Sequence, residues 1–220
     1  MKCIITAGPT YEELDEVRRL TNFSTGALGS ELAAHLAGQG HEVELLRGHY
    51  SAPEVRARAR AAQEFTTSTN LMRRLQGMVS PGVGAIFHAA AVSDFTFGKF
   101  WQKGKGRDLV EIKSRKISTH GGLVLAELMP TPKIISHLRE WFPQARLIGW
   151  KYEVDGDQAQ AIALAEQQLR ENSTDACVAN GPAYGPGFGL VRGRGRCLHL
   201  SDKNALFHAL DNLIKPGKKE

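Results

Sequence analysis

Cysteine is scarce in this chain. Only Cys3, Cys177 and Cys197 occur in 220 residues, and they lie far apart. That spacing fits neither a disulfide framework nor a zinc site. Cys3 and Cys177 sit in apolar strand-like runs and read as reduced core residues. No apolar run approaches the roughly 18 residues of a membrane span. One lysine followed by a strand-like run and a Gly-Pro turn makes no signal peptide, so a cytoplasmic location is expected. The patterns HExxH, CxxC, GxSxG and GxxxxGKS/T are missing, which removes support for zinc, thiol-relay, serine-hydrolase and P-loop chemistry. Excess charge is modest, at +5. The basic residues cluster only at 56–60, 99–116, 192–196 and the tail, with no aromatic interleaving on one element. Nucleic acid is therefore not an expected partner, and small phosphorylated substrates are.

What is present is an alternation of strand-like and helix-like segments with no internal repeat. Strands are expected at Lys2–Thr6, Glu42–Leu46, Glu64–Thr67, Ala85–Ala89, Arg146–Trp150 and Ala176–Ala179. Helices are expected at Ala27–Gln39, Ser68–Met78, Lys133–Trp141, Asp157–Glu171 and Ala205–Ile214. Thr131 is the expected cap of the third, with Pro132 at its first position, and Ser201 or Asp202 that of the last. Two strand-like runs around Arg192 suggest a hairpin over Gly189–Ser201. Repeated β–α–β units predict an α/β fold: a Rossmann-like, three-layer arrangement around a mostly parallel sheet. At 220 residues the chain is expected to form a single domain, 1–220. A polar insertion, Phe95–Thr119, follows the fourth strand and reads as a mobile flap. The C-terminal hairpin and helix occupy 189–214. Ligands in such folds bind outside the carboxyl ends of the strands.

The most informative stretch runs from Ile4 to Gly29. A strand enters a long polar loop and ends at Gly26 and Gly29, where an apolar-periodic helix begins. The first turn of a helix has unpaired N–H donors and the positive end of the dipole, so this start is a plausible phosphate site. Gly8 sits where the chain leaves the first strand, either as a plain turn residue or to let backbone approach a nucleotide. The glycines of STGALG come about 20 residues after the strand, which disfavours an NAD fingerprint. Asp15 and Arg18 can pair to hold the loop. The Asn22 amide both donates and accepts, which suits a carboxylate or a carbonyl gaining negative charge. Ala89–Ala91 would let a flat ring approach the sheet edge. Asp94 would accept from a base or ribose, or cap the next segment. Lys113, Arg115 and Lys116 form either a solvated face or a flap that folds onto phosphates.

These residues match a known pattern. The blocks are TAGPTYEELDEVRRLTNFSTGALG (Thr6–Gly29), AAVSDF (Ala90–Phe95), EIKSRKIS (Glu111–Ser118), LVLAELMPTPK (Leu123–Lys133), GWKYEVD (Gly149–Asp155) and VAN (Val178–Asn180). In this order they resemble the phosphopantothenoylcysteine synthetase (phosphopantothenate–cysteine ligase) family of coenzyme A biosynthesis. The resemblance implies ligation of 4'-phosphopantothenate with L-cysteine through an acyl-nucleotide monophosphate, using Mg2+ with CTP or ATP. It implies Asn22, Lys116 and Lys113 as catalytic residues, and Arg18, Asn22, Ser24, Thr25 and Gly26 as substrate-binding ones. Gly8, Thr10, Asp15, Ala90, Ala91, Asp94, Lys133, Trp150 and Lys151 are the nucleotide-binding candidates. No metal-ligand set is legible. A homodimer is implied, with a separate decarboxylase elsewhere in the pathway. Pro9, the DEVRR segment, Trp150 and the GFGLVRGRGRC segment depart from the family pattern. A ligase acting on another phosphorylated acid, and a non-catalytic nucleotide- or flavin-binding module, are the competing readings.

Overall fold

A computed structural model describes residues 1–58, 62–104, 108–118, 120, 122–193 and 195–215. Along the chain the first elements are β1 (Lys2–Pro9), β2 (Tyr11–Glu13), β3 (Arg19–Thr21), α1 (Ala27–Gly38), β4 (Glu42–Gly48), α2 (Pro53–Arg58) and β5 (Gln63–Phe65). Then come α3 (Ser68–Gly77), β6 (Val83–Ala91), β7 (Phe95–Lys103), β8 (Leu109–Ile112) and β9 (Val124–Pro130). A 3-10 turn at Ile134–His137 runs into α4 (Leu138–Trp141). The chain closes with β10 (Arg146–Tyr152), α5 (Gln158–Asn172), β11 (Ala176–Asn180), β12 (Phe188–Val191), β13 (Cys197–Leu200) and α6 (Lys203–Ile214).

The main sheet has the order β13-β12-β11-β10-β6-β1-β4-β5. Its six strands from β11 to β5 are parallel, and β12 and β13 add antiparallel. The strand order therefore reverses between β1 and β6, which puts the switch point there. Strand side chains alternate between faces, and parallel strands are apolar on both. Cys3 and Ile5 of β1 pack with Leu32 and Leu36 of α1 and Leu206 and Leu210 of α6. Ile4 faces the other way, with Leu71 and Leu75 of α3 and Leu138 of α4. Ala161 and Ala165 of α5 cover Cys177 and Ala179 on β11. The result is the expected three-layer α/β fold. No described helix is long and apolar enough to cross a membrane.

The structure corrects one local expectation and adds to another. Thr131 does not cap a helix over Lys133–Trp141. Its hydroxyl donates to the Ser93 carbonyl, and the segment is a 3-10 turn with only four residues of α4 behind it. Two buried isoleucines, Ile134 and Ile135, tie it down instead. The insertion expected at 95–119 after the fourth strand is present, and strands not foreseen from its Gly and Lys content lie within it. Its described part is mostly β-structure: β7 pairs antiparallel with β8 and with β9. Phe95 and Phe97 stand opposite Pro130 and Leu128 of β9, and beyond a bulge Trp101 stands opposite Leu125. Residues 105–107 and 119 of the insertion lie outside the described residues, as do 59 and 60 of the first basic cluster, Arg194 and the tail 216–220.

Candidate functional site at the strand switch point

The carboxyl ends of β1 and β6 lie side by side, with Gly8 opposite Ala90 and Pro9 opposite Ala91. The chain then crosses over this edge, and its polar groups knit the crossing together. Thr10 N–H donates to the Ala91 carbonyl at 3.1 Å, and the Asn22 amide Nδ2 donates to the same oxygen at 3.1 Å. The Thr10 hydroxyl accepts from Ser93 N–H at 2.8 Å and donates to Ser93 Oγ at 3.0 Å. The Thr21 hydroxyl donates to the Thr10 carbonyl at 2.8 Å. These bonds bring Asn22 to Ala90 and Ala91, two segments nearly seventy residues apart in the chain. Thr10 is fully buried, so it frames the site from within.

The start of α1 faces the same edge. Gly26 is its N-terminal flanking residue, with φ 75° and no side chain of its own to cap the first turn. No acidic residue occupies that turn, so the positive end of the dipole is uncompensated. Gly8 also takes a positive φ, 82°. A Cβ on Gly26 would come within 3.1 Å of Gly8 Cα and 2.7 Å of Ser51 Oγ, and one on Gly8 within 2.1 Å of Ser51 Oγ. Only residues without Cβ permit this close approach. Ser51 is buried, and its hydroxyl has no hydrogen-bond partner among the described residues. Ser24, Thr25 and Gly26 thus lie on the loop that enters α1, and Thr25 Oγ1 accepts from Ala27 N–H at 3.3 Å. Backbone N–H groups, a helix start and an amide thus border one sheet edge.

Comparison with known proteins identifies the group to which this arrangement belongs. A family model described as "DNA/pantothenate metabolism flavoprotein C-terminal domain" matches residues 1–209. The chain belongs to that family. The "Coenzyme A biosynthesis bifunctional protein CoaBC" of Thermococcus kodakarensis is 31% identical over 180 residues, covering 81% of this chain and 41% of that protein. The protein of the same name from Bacillus subtilis is 32% identical over 189 residues, covering 84% of this chain and 42% of its own length. The chain thus spans about two fifths of these relatives. The solved structure of a DNA/pantothenate metabolism flavoprotein from Streptococcus pneumoniae matches with a TM-score of 0.81 at 26% identity, covering 98% of both chains.

The remaining candidates within this pantothenate-metabolism domain are spread over four further places. Lys133 and Lys151 line a depression of about 180 Å³ beside α5, together with Gln167, Gln168 and Glu171. Lys133 Nζ lies 3.5 Å from Glu171, and Lys151 Nζ lies 2.8 Å from Glu153. Trp150, one residue away on β10, packs on the α1–α6 core; its buried indole N–H has no hydrogen-bond partner among the described residues. Asp94 is exposed just after β6. Lys113 and Lys116 are exposed on the segment after β8, and Asp15 and Arg18 form an ion pair beside it. Among the described residues, no three His, Cys, Asp or Glu side chains converge as a metal site. Sequence reasoning missed Ser51, Ser93 and Gln168. Gln168 is fixed by donating to the Trp150 carbonyl at 3.2 Å and accepting from Cys177 Sγ at 2.6 Å. A serine in a loop carries no sequence signal of such contacts, because they depend on the strand order. Burial pushes the thiols of Cys3 and Cys177 up to about 11 and about 12, which suits inert core cysteines.

Proposed function

We propose that this domain joins 4'-phosphopantothenate to L-cysteine, with CTP or ATP as co-substrate. The observation that carries the reading is the Asn22–Ala91 bond, which seats an amide at the strand switch point, on the edge that the Gly26 start of α1 also faces. In the first step a carboxylate oxygen of phosphopantothenate attacks the α-phosphorus of the nucleotide. The bond from that phosphorus to the bridging oxygen breaks, and pyrophosphate leaves. In the second step the cysteine amine attacks the acyl carbon, loses a proton, and the nucleoside monophosphate departs with the C–O electron pair.

One N–H of Asn22 Nδ2 is spent on Ala91, which fixes the amide and leaves its second N–H for the substrate carboxylate and the acyl oxygen. Ser24, Thr25 and the N–H groups at the start of α1 hold phosphate oxygens. Ala90, Ala91 and Asp94 border the nucleotide, and Lys116, assisted by Lys113, neutralises charge on the departing pyrophosphate. Lys133 and Lys151 attract the nucleotide from the β10 side. A Mg2+ ion would ride on the phosphate oxygens of the nucleotide, as this ion commonly does, and screen their charge. A homodimer fits the outer sheet, where Leu109, Val110, Leu125, Leu128 and Met129 are each at least 41% exposed.

The test is pyrophosphate release from purified protein given phosphopantothenate, L-cysteine, Mg2+ and either CTP or ATP. Release that requires phosphopantothenate, with a product of the mass of the cysteine amide, is expected. Absence of release with both nucleotides would sink the proposal.

A further inference from the structure

The loop that carries Asn22 and the segment that carries Lys113 and Lys116 are joined at one seam. Asp15 Oδ1 accepts the backbone N–H groups of Val17 at 3.0 Å and Arg18 at 2.8 Å. Its Oδ2 accepts from Arg18 Nε at 3.0 Å, from Arg18 Nη2, and from Ile117 N–H at 3.1 Å. Arg18 Nη2 also donates to the Ile117 carbonyl at 2.7 Å. Both backbone polar groups of Ile117 are therefore held by one ion pair. A second tie lies two residues earlier: Glu16 N–H donates to the Arg115 carbonyl at 3.1 Å, and Arg115 Nε stands 2.8 Å from Glu16. Ile117 itself is 7% exposed, an apolar anchor next to the exposed Lys116.

The Asp15 carboxylate makes five hydrogen bonds and its side chain is 3% exposed. A carboxylate has about four lone-pair directions, so this one is saturated and offers nothing to a ribose or base. The Arg18 guanidinium beside it, aided by the backbone N–H groups, holds its carboxyl well below the usual carboxylate range. The charge that stabilises the seam is thus present at every working pH.

We propose that Asp15 and Arg18 are positioning residues: together they latch the backbone at Ile117 and so set where Lys116 and Lys113 stand relative to Asn22. They act on the nucleotide step through the lysines rather than by touching a ligand. This rests on the ligase reading for its kinetic consequence, and not for the latch itself.

Two substitutions test it. Asp15→Asn keeps the shape and removes the charge. Arg18→Lys keeps the charge and loses the fork that reaches Asp15 and the Ile117 carbonyl at once. Limited trypsin digestion, read by mass spectrometry, reports cleavage after Arg115 and Lys116, and it needs no turnover. Both variants are expected to be cut there about tenfold faster than wild type while their thermal midpoints stay within a few degrees. In turnover, KM for the nucleotide is expected to rise about tenfold, with KM for phosphopantothenate within twofold. Adding Lys116→Gln to Arg18→Lys should cost little beyond Lys116→Gln alone, because both act through the same lysine. A large rise in KM for phosphopantothenate with wild-type cleavage rates would overturn the latch and make Arg18 a direct substrate ligand. Faster cleavage in variants of a protein that shows no ligation at all would uphold the latch and remove the ligase reading instead.

Discussion

Asn22 and Ala91 meet across the switch point, the amide Nδ2 donating to the carbonyl oxygen at 3.1 Å. That oxygen also takes the N–H of Thr10, so the loop is pinned from both of its ends. Asn22→Asp would replace a donor by a charged acceptor facing the same carbonyl. The variant is expected to lose at least about 100-fold in ligation, the scale of losing one preorganised donor to a developing oxyanion. Nucleotide binding, measured by calorimetry, should stay within a few fold. Wild-type turnover in the variant would remove Asn22 from the chemistry.

Gly8 and Ser51 form a second testable pair. A Cβ on Gly8 would stand 2.1 Å from Ser51 Oγ but 3.4 Å from Ser51 Cβ, so the hydroxyl is the main obstruction. Gly8→Ala also pays for a positive φ, about 1–2 kcal/mol for a residue with a side chain. Chemical denaturation should show Gly8→Ala destabilised by more than that, and Ser51→Ala nearly neutral. The double variant should recover part of the loss, with a coupling of about 1 kcal/mol or more. Strict additivity would mean that the two groups do not compete for the same space.

Much of this was legible in the chain before any coordinates. The parallel strands announced themselves as runs such as Lys2–Thr6 and Ala85–Ala89, and the helix from Ala27 by its leucine spacing. Asn22 and the alanines at 90 and 91 were also named from the sequence, and the structure brings them together. Asp15 and Arg18 were readable as a pair because they stand three residues apart. Their grip on Ile117 was not, since it joins residues about a hundred positions apart. The outer sheet was missed because β7 is interrupted by a bulge between Phe97 and Phe100, which breaks the period-two pattern. The turn after Pro132 was misread because a proline and a threonine imitate a helix start, while the Thr131 hydroxyl is engaged with Ser93.

His88 makes the acid limb of stability predictable. Its ring is buried in β6, and Nδ1 lies 2.9 Å from Thr6 Oγ1. The Thr6 hydroxyl also accepts from Ala90 N–H at 3.2 Å, which ties the ring to both strands. Burial holds the pKa down to about 4, against 6.5 in the unfolded chain. Between those values the unfolded chain binds the extra proton, so stability falls as pH falls from 6.5 towards 4. The loss from this group is about 3 kcal/mol by the end of that window. Burial also lowers His35, which adds to the same window. Urea titrations at pH 7.5 and 4.5 should therefore show a smaller difference in His88→Gln than in wild type, without abolishing it. An unchanged difference would mean that His88 is protonated in the folded protein.

Lys113 and Lys116 can be separated by their distance from the Ile117 anchor. Lys116 is the residue next to it, and Ser114 Oγ donates to the Lys116 carbonyl at 2.9 Å, so its backbone is held on both sides. Lys113 lies beyond that turn, just past the end of β8. A lysine on a fixed backbone loses less freedom when it meets a phosphate, so more of its attraction is available in the transition state. Lys116→Gln is accordingly expected to cut kcat/KM for the nucleotide by about 100-fold, and Lys113→Gln by no more than about fivefold. Neither exposed substitution should move the thermal midpoint by more than about 2 °C, because surface changes usually stay within 0.5 kcal/mol. Steady-state kinetics on the two single variants decide the matter. A larger effect at Lys113 would put the phosphate contact at the mouth of β8 and leave Lys116 as a solvated neighbour of the anchor.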